Sequence, residues 1–286
     1  MIISNFYQIT VSEFDLIKGS NYALKARLYC PIGIENMPAV VCIHGGAWVS
    51  GDRTAVSGLT DLIAQTGVAV LSIDTRLAPE FTYPAPIIDV IQSVGWLKQH
   101  ANNYQIDANR IGLFGVSSGG YLAMLAAIQY DGSEYFSIDT PITDASVAFL
   151  ATCSGVLDPW ERYQMAIRQN NTDIMMCHNA FFKTEQIMED ASPQKILATQ
   201  KSHCLIPAIF FQGQLDPRLP IDTAEKTARF LNTIGGQAQA IIYKNAAHSL
   251  DTWPRTALID MLTRFHQLAM APEAFSVNQK TEFLFV

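Results

Sequence analysis

Apolar residues along this chain follow two rhythms. In residues 5–17 and 22–31, β-branched and aromatic side chains flank the tetrapeptide Lys18-Gly19-Ser20-Asn21. Extended stretches around such a turn predict an antiparallel hairpin. From residue 39 onward the pattern becomes a series of short, almost continuous apolar runs at 39–43, 68–73, 110–114, 145–151, 208–211 and 240–243. Strands buried on both faces read this way, as in a parallel sheet covered by helices. The intervening segments carry helical spacing. Residues 87–100 set Ile87, Ile88, Ile91, Val94 and Leu97 on one face. Residues 118–130 are rich in Ala, Leu and Met, residues 222–234 end at a Gly235-Gly236 stop, and residues 253–270 close the series. Strands alternating with helices imply right-handed crossovers within one sheet. The expected class is therefore α/β: a mostly parallel central sheet with helices on both faces and an antiparallel hairpin at the start, built as one domain over residues 1–286.

One segment breaks the rhythm. Residues 156–193 occupy a place where a link of ~2–6 residues is usual. They carry Trp160, Tyr163, Met165, Ile167, Met175, Met176, Phe181 and Phe182. A mostly helical insertion above the sheet is expected there, either a short lid or a peripheral excursion with its own small core.

Composition narrows the partners. With 49% hydrophobic and 16% charged residues, the chain supports a large core and is not a disordered polymer. A net charge of −7 without any Lys/Arg run argues against nucleic acid or an anionic membrane as partner. No apolar run approaches the ~20 residues of a membrane helix, and no signal peptide is read at the start. Five cysteines, an odd number without a C-x-x-C pair, fit free thiols in a reducing compartment better than a disulfide framework. A cytoplasmic protein is expected.

The chemistry is concentrated after the apolar runs. Gly115-Val116-Ser117-Ser118-Gly119-Gly120 follows one run and precedes an Ala/Leu-rich helix, which is G-x-S-x-G in strand–turn–helix context. A nucleophile on so sharp a turn needs small residues two positions either side. Only Ser117 has Gly at both places; Ser118 would face Val116. His44-Gly45-Gly46-Ala47-Trp48 follows the first run. Small residues there let backbone N–H groups converge on an oxyanion, with Gly46 and Ala47 the best donors, Gly45 a weaker one, and the N–H of Ser118 joining them. His44 reads as a brace for this loop. Asp216 and His248 follow the last two runs, so the order is Ser, Asp, His. His248 would accept the Ser117 proton and Asp216 would orient the imidazole. Both lie where strands end, the edge at which open α/β sheets keep their sites. Asp222 looks like a helix N-cap, and Asp251 stands too close in sequence to His248. His100, His178, His203 and His266 read as surface or packing residues. Cys177-His178 lacks a second ligand pair, so neither metal nor cofactor is expected.

With these residues in hand, the sequence resembles the α/β-hydrolase superfamily. It is most similar to hormone-sensitive-lipase-like esterases and to the feruloyl-esterase-like and arylformamidase-related branches. The resemblance rests on residues 44–48, 74–80, 107–120, 190–193, 212–217 and 245–248, and spans roughly residues 39–250. It implies a carboxylesterase that takes a small-molecule ester and forms an acyl-enzyme on Ser117, with an arylformamidase-type amide hydrolase as the alternative. It also implies structural roles for the Arg76–Glu80 segment (numbered 76–80) and for Asp89. The long helical cap usual before the His-Gly-Gly loop of the lipase-like group has no counterpart in the 43 residues preceding His44. Ala47-Trp48 instead of a third Gly leans toward the feruloyl-esterase-like and formamidase-like branches. Trp48, Trp160, Phe181 and Phe182 are the expected substrate contacts. A ligand-binding protein on the same fold would typically have lost one of Ser117, Asp216 and His248; all three are present. The sequence carries no signature of an oligomeric state.

Overall fold

A computed structural model describes residues 6–128, 144–199, 205–276 and 283–285. The first strands, β1 (Ile9–Lys18) and β2 (Ala23–Pro31), pair antiparallel from Ile9↔Pro31 to Lys18↔Ala23, with a bulge between Asp15 and Ile17. This is the expected hairpin. β2 then pairs antiparallel with β4 (Ala69–Ile73). All further pairings are parallel: β3 (Met37–Ile43), β5 (Ile106–Val116), β6 (Leu150–Cys153), β7 (Ala208–Gly213), β8 (Ala238–Tyr243) and β9 (Phe283–Phe285). The spatial order is β1-β2-β4-β3-β5-β6-β7-β8-β9. The chain therefore leaves β3 to one side for β4 and returns to its other side for β5. That reversal opens a crevice between the carboxyl ends of β3 and β5.

Alternation along each strand divides the core into two layers. Ala39, Val41 and Ile43 of β3 belong with α2 (Ala85–His100), α3 (Ser118–Ile128) and α8 (Thr223–Thr233). Val40 and Cys42 belong with α1 (Ser57–Gln65) and α9 (Arg255–Met270). Every residue of β3 and β4 is buried, which explains why these strands read as unbroken apolar runs.

Residues 156–193 form helices, as expected. α4 (Pro159–Arg168), α5 (Thr172–Phe182) and α6 (Glu185–Asp190) are followed directly by α7 (Pro193–Thr199). Each of the first three is started by a side chain: Asp158, Asn171 and Thr184 accept the N–H of Glu161, Ile174 and Ile187. A cap of this kind satisfies one of the amides that a helix start leaves without partner. The end of the helix expected over 118–130, and Cys204 and His203, lie outside the described residues. Among the described residues, no helix is long and apolar enough to cross a membrane.

Candidate active site

The turn after β5 brings Ser117 to the crevice in a left-handed conformation, φ 53°. Left-handed backbone is costly for a residue with a Cβ and persists only where its surroundings enforce it. Here they do. The Ser117 N–H donates to Cys153 O at 3.0 Å, and Ser117 O accepts from Gly120 N and Val156 N, each at 2.9 Å. The flanking glycines allow the approach. A Cβ on Gly115 would overlap Gly119 O and Gly120 Cα; one on Gly119 would overlap the carbonyl oxygens of Ile43 and His44. The small residues at −2 and +2 are thus demanded by backbone against backbone.

Asp216 and His248 come from the ends of β7 and β8, whose following loops are bound together. Gln214 N donates to Tyr243 O and Leu215 N to Ala246 O, both at 2.9 Å. Asp216 Oδ1 accepts the Arg218 N–H at 2.8 Å, and Oδ2 lies 2.8 Å from His248 Nδ1. His248 Nε2 lies 2.9 Å from Ser117 Oγ. An ionised carboxylate only accepts, so Nδ1 carries the proton and Nε2 is the acceptor for the Ser117 hydroxyl. The Asp216 side chain is 1% exposed and that of His248 17%, so the acid is sealed while the imidazole keeps an open edge. Asp222 takes the N-cap position of α8 and pairs with Lys226 at 3.1 Å, and Asp251 is exposed.

The loop after β3 approaches from the other side of the crevice. A Cβ on Gly45 would stand 3.1 Å from the Ser117 Cβ. Gly46 (φ 112°), Ala47 (φ 53°) and Trp48 (φ 64°) all have positive φ. Gly46 O closes the loop by accepting from Val49 N and Ser50 N, each at 3.1 Å. Among the described residues, no carbonyl takes the N–H of Gly46, Ala47 or Ser118, so these amides remain available at the site. His44 is buried, with Nδ1 2.6 Å from Gly45 O, and burial depresses its pKa. That environment suits a neutral brace.

Trp48 is 3% exposed and ties several pieces together. Its indole N–H donates to Ser118 O at 3.1 Å, and its carbonyl accepts from Ala78 N at 2.9 Å. The Ala78 loop is held by Arg76, whose backbone and guanidinium N–H groups both bind the fully buried Asp89 at 2.8 Å. Phe181 stacks on Trp48 with ring centres 4.8 Å apart, and Phe182 meets its edge at 5.4 Å. Phe181 and Phe182 are 0% and 1% exposed. Their rings pack in this cluster and meet the loop after β3 through Trp48. Trp160 is half-buried beside Tyr163.

Arg162 escaped the sequence reading, and His178 was read there only as a surface or packing residue. Arg162, 2% exposed, donates from Nε to Arg218 O at 2.9 Å and from Nη1 to His178 Nε2 at 3.0 Å. His178 is fully buried. The signal was present: on α4, Pro159, Arg162, Tyr163 and Ala166 share one buried helical face, so an arginine stands where an apolar residue is expected. Among the described residues, no group of three His, Cys, Asp or Glu side chains is arranged to hold a metal.

The comparisons with known proteins bear on the family and the fold. The family model BD-FAE matches residues 27–231. The chain belongs to the BD-FAE family. It is similar to the arylesterase of Saccharolobus solfataricus, at 33% identity over 39% of this chain and 37% of that protein. It is also similar to esterase LipC of Mycobacterium tuberculosis, at 27% identity over 75% of this chain and 53% of that protein. The chain thus spans about half or less of the length of these two relatives. Among solved structures, an esterase from Pyrobaculum calidifontis superposes with a TM-score of 0.75 at 23% identity, over 94% of this chain and 88% of that one. The fold is that of the α/β-hydrolases.

Proposed function

We propose that this protein is a serine carboxylesterase that hydrolyses esters of small acyl groups. The observation that carries the reading is the continuous hydrogen-bonded line from Ser117 Oγ through His248 to Asp216, at 2.9 and 2.8 Å. His248 Nε2 takes the hydroxyl proton as Ser117 Oγ attacks the acyl carbon, and Asp216 stabilises the imidazolium that results. The free N–H groups of Gly46, Ala47 and Ser118, with Gly45 beside them, receive the charge that develops on the carbonyl oxygen. Collapse expels the alcohol with the proton from His248. Water, deprotonated by the same imidazole, then releases the acid from Ser117. The names of the two relatives above, an arylesterase and an esterase, support ester over amide as substrate; an arylformamidase-type reaction gains nothing from them.

In this reading the chain works as a single α/β-hydrolase unit, and α4–α7 form its lid. Trp160 is the aromatic side chain of the lid left with an open surface to meet substrate. The four described cysteines, Cys30, Cys42, Cys153 and Cys177, are free thiols, which supports work in a reducing compartment such as the cytoplasm. The test is a panel of nitrophenyl acetate, butyrate and octanoate with a feruloyl ester and N-formylkynurenine. Turnover is expected to be fastest on short acyl chains. Ser117→Ala abolishes it in a folded protein, by several orders of magnitude, while Ser118→Ala retains most of it because only its backbone N–H acts. A dead Ser118→Ala beside an active Ser117→Ala overturns the assignment of the nucleophile.

A further inference from the structure

We propose that Arg162, on the lid helix α4, is the positioning residue for Asp216, holding the 216–218 turn in the register that aligns His248 with Ser117. The inference rests on the serine mechanism proposed above and deepens it.

Arg162 is an unusual residue to bury. Among the described residues, no carboxylate lies within ion-pairing distance of its guanidinium, although it is 2% exposed. A buried ion without a close counter-ion is costly, and a well-packed apolar side chain of similar volume would serve stability better. What the guanidinium contacts instead is informative. Nε holds the carbonyl of Arg218 at 2.9 Å, while the N–H of that same residue binds Asp216 Oδ1 at 2.8 Å. One peptide unit thus lies on either side of Arg218, the first presented to the acid and the second clamped by the lid. Because Oδ1 is fixed in this way, Oδ2 is left facing His248 Nδ1. The charge of Arg218 opposes the Arg162 guanidinium, while Asp216 and, more weakly, Cys177 favour it. Burial pulls the guanidinium down to about 10, which leaves it charged at neutral pH.

The fork of the guanidinium also reaches the opposite wall of the site. Nη1 donates to His178 Nε2, and the His178 ring meets Trp48 edge-on with centres 5.0 Å apart. Trp48 holds Ser118 O through its indole N–H. Arg162 therefore binds the acid turn directly and reaches the loop that carries the free amides through His178. A lysine keeps the charge but gathers its donors on one nitrogen, so it cannot fork to both partners.

The experiment compares Arg162→Met and Arg162→Lys with wild type by kcat and KM on nitrophenyl butyrate, by thermal unfolding, and by the rate at which a fluorophosphonate labels Ser117. Labelling needs an activated Ser117 but no turnover, so it reads Arg162 even if the ester panel fails and the proposed substrate class falls. In Arg162→Met, kcat and the labelling rate are expected to drop about 100-fold, the scale of an ångström's misplacement. KM stays within about twofold and the protein remains folded. Arg162→Lys is expected to recover at least about tenfold of that loss. If Arg162→Met does not fold, Arg162→Gln, which keeps an uncharged donor, replaces it in the same comparison. Wild-type kcat and labelling in a folded Arg162→Met or Arg162→Gln overturn the proposal. So does an equal loss in the Lys variant that tracks lowered thermal stability, since packing alone then accounts for it.

Discussion

His178 makes the helical insertion over residues 156–193 acid-sensitive, by an amount that follows from its surroundings. The imidazole is fully buried, and its Nε2 lone pair accepts from a cationic donor, Arg162, at 3.0 Å. Protonation would desolvate a charge and set two cations against each other. Burial first, then the Arg162 charge, lowers the His178 pKa from 6.5 to about 3. The unfolded chain therefore binds a proton between these values that the folded chain refuses. Stability from this group is complete above pH ~6.5 and is lost as pH falls toward ~3. At pH 5 the expected loss is about 2 kcal/mol, and across the whole window about 5 kcal/mol as an upper figure. His178→Gln places an uncharged acceptor at the position of Nε2. Urea unfolding of wild type and variant at pH 7.5 and pH 5 isolates the term, because every carboxylate contributes equally to both proteins. Wild type is expected to lose about 2 kcal/mol more than His178→Gln on this step. Parallel losses in the two proteins would refute the reasoning and mean that His178 takes up its proton without leaving its place.

Further outcomes follow from other contacts. Phe181→Ala removes a ring that is 0% exposed and stacked on Trp48; it is expected to cost about 3–5 kcal/mol in chemical unfolding. It should lower turnover equally on acetyl, butyryl and octanoyl esters, whereas a selective gain on octanoyl would make Phe181 a wall of the acyl pocket. Gly119→Ala forces a Cβ onto the carbonyls of Ile43 and His44, backbone atoms that cannot rotate aside. A loss of about 1–3 kcal/mol or more, together with reduced kcat, is expected, and a neutral variant would contradict the geometry. Glu13 is held down to about 2 by hydrogen bonds from Arg53 and Arg27. Being a depressed acid, it supports β1 above pH ~4.5 and ceases to as pH falls toward ~2. Hydrogen exchange of β1 at pH 5.5 and pH 3 should show that loosening in wild type and not in Glu13→Gln.

The strands buried on both faces were legible because nothing polar interrupts them; β3, β4, β7 and β8 lie within a few residues of their apolar runs. β5 extends well beyond its run, since Ile106 pairs with Met37 across a register shift that no local pattern encodes. β6 begins only at Leu150, after a run expected from residue 145. Asp144 caps a turn there by accepting the Ser146 N–H at 2.8 Å, and turn chemistry overrode apolar character. α1 escaped notice because its N-cap position, Val56, offers no side-chain cap. Ser117 and the loop after β3 were legible through short motifs whose glycines answer to backbone crowding. Arg162 and the burial of Phe181 and Phe182 were not, because they depend on which surface the insertion covers, and that is decided by contacts far apart in sequence.

Those long contacts bear on how the protein comes alive. Ser117 and His248 are separated by 131 residues, and His248 and Asp216 by 32. Between Ser117 and His248 the chain must add β6, β7 and β8 in parallel, each requiring a crossover before its strand can pair. Pairings of this kind come late and slowly, since loop-closure entropy must be met before the contact rewards it. A nascent or partly unfolded chain therefore carries Ser117 with no imidazole beside it. Recovery of ester turnover during refolding should lag behind the return of helical signal, making the reaction a reporter of the last strands to join.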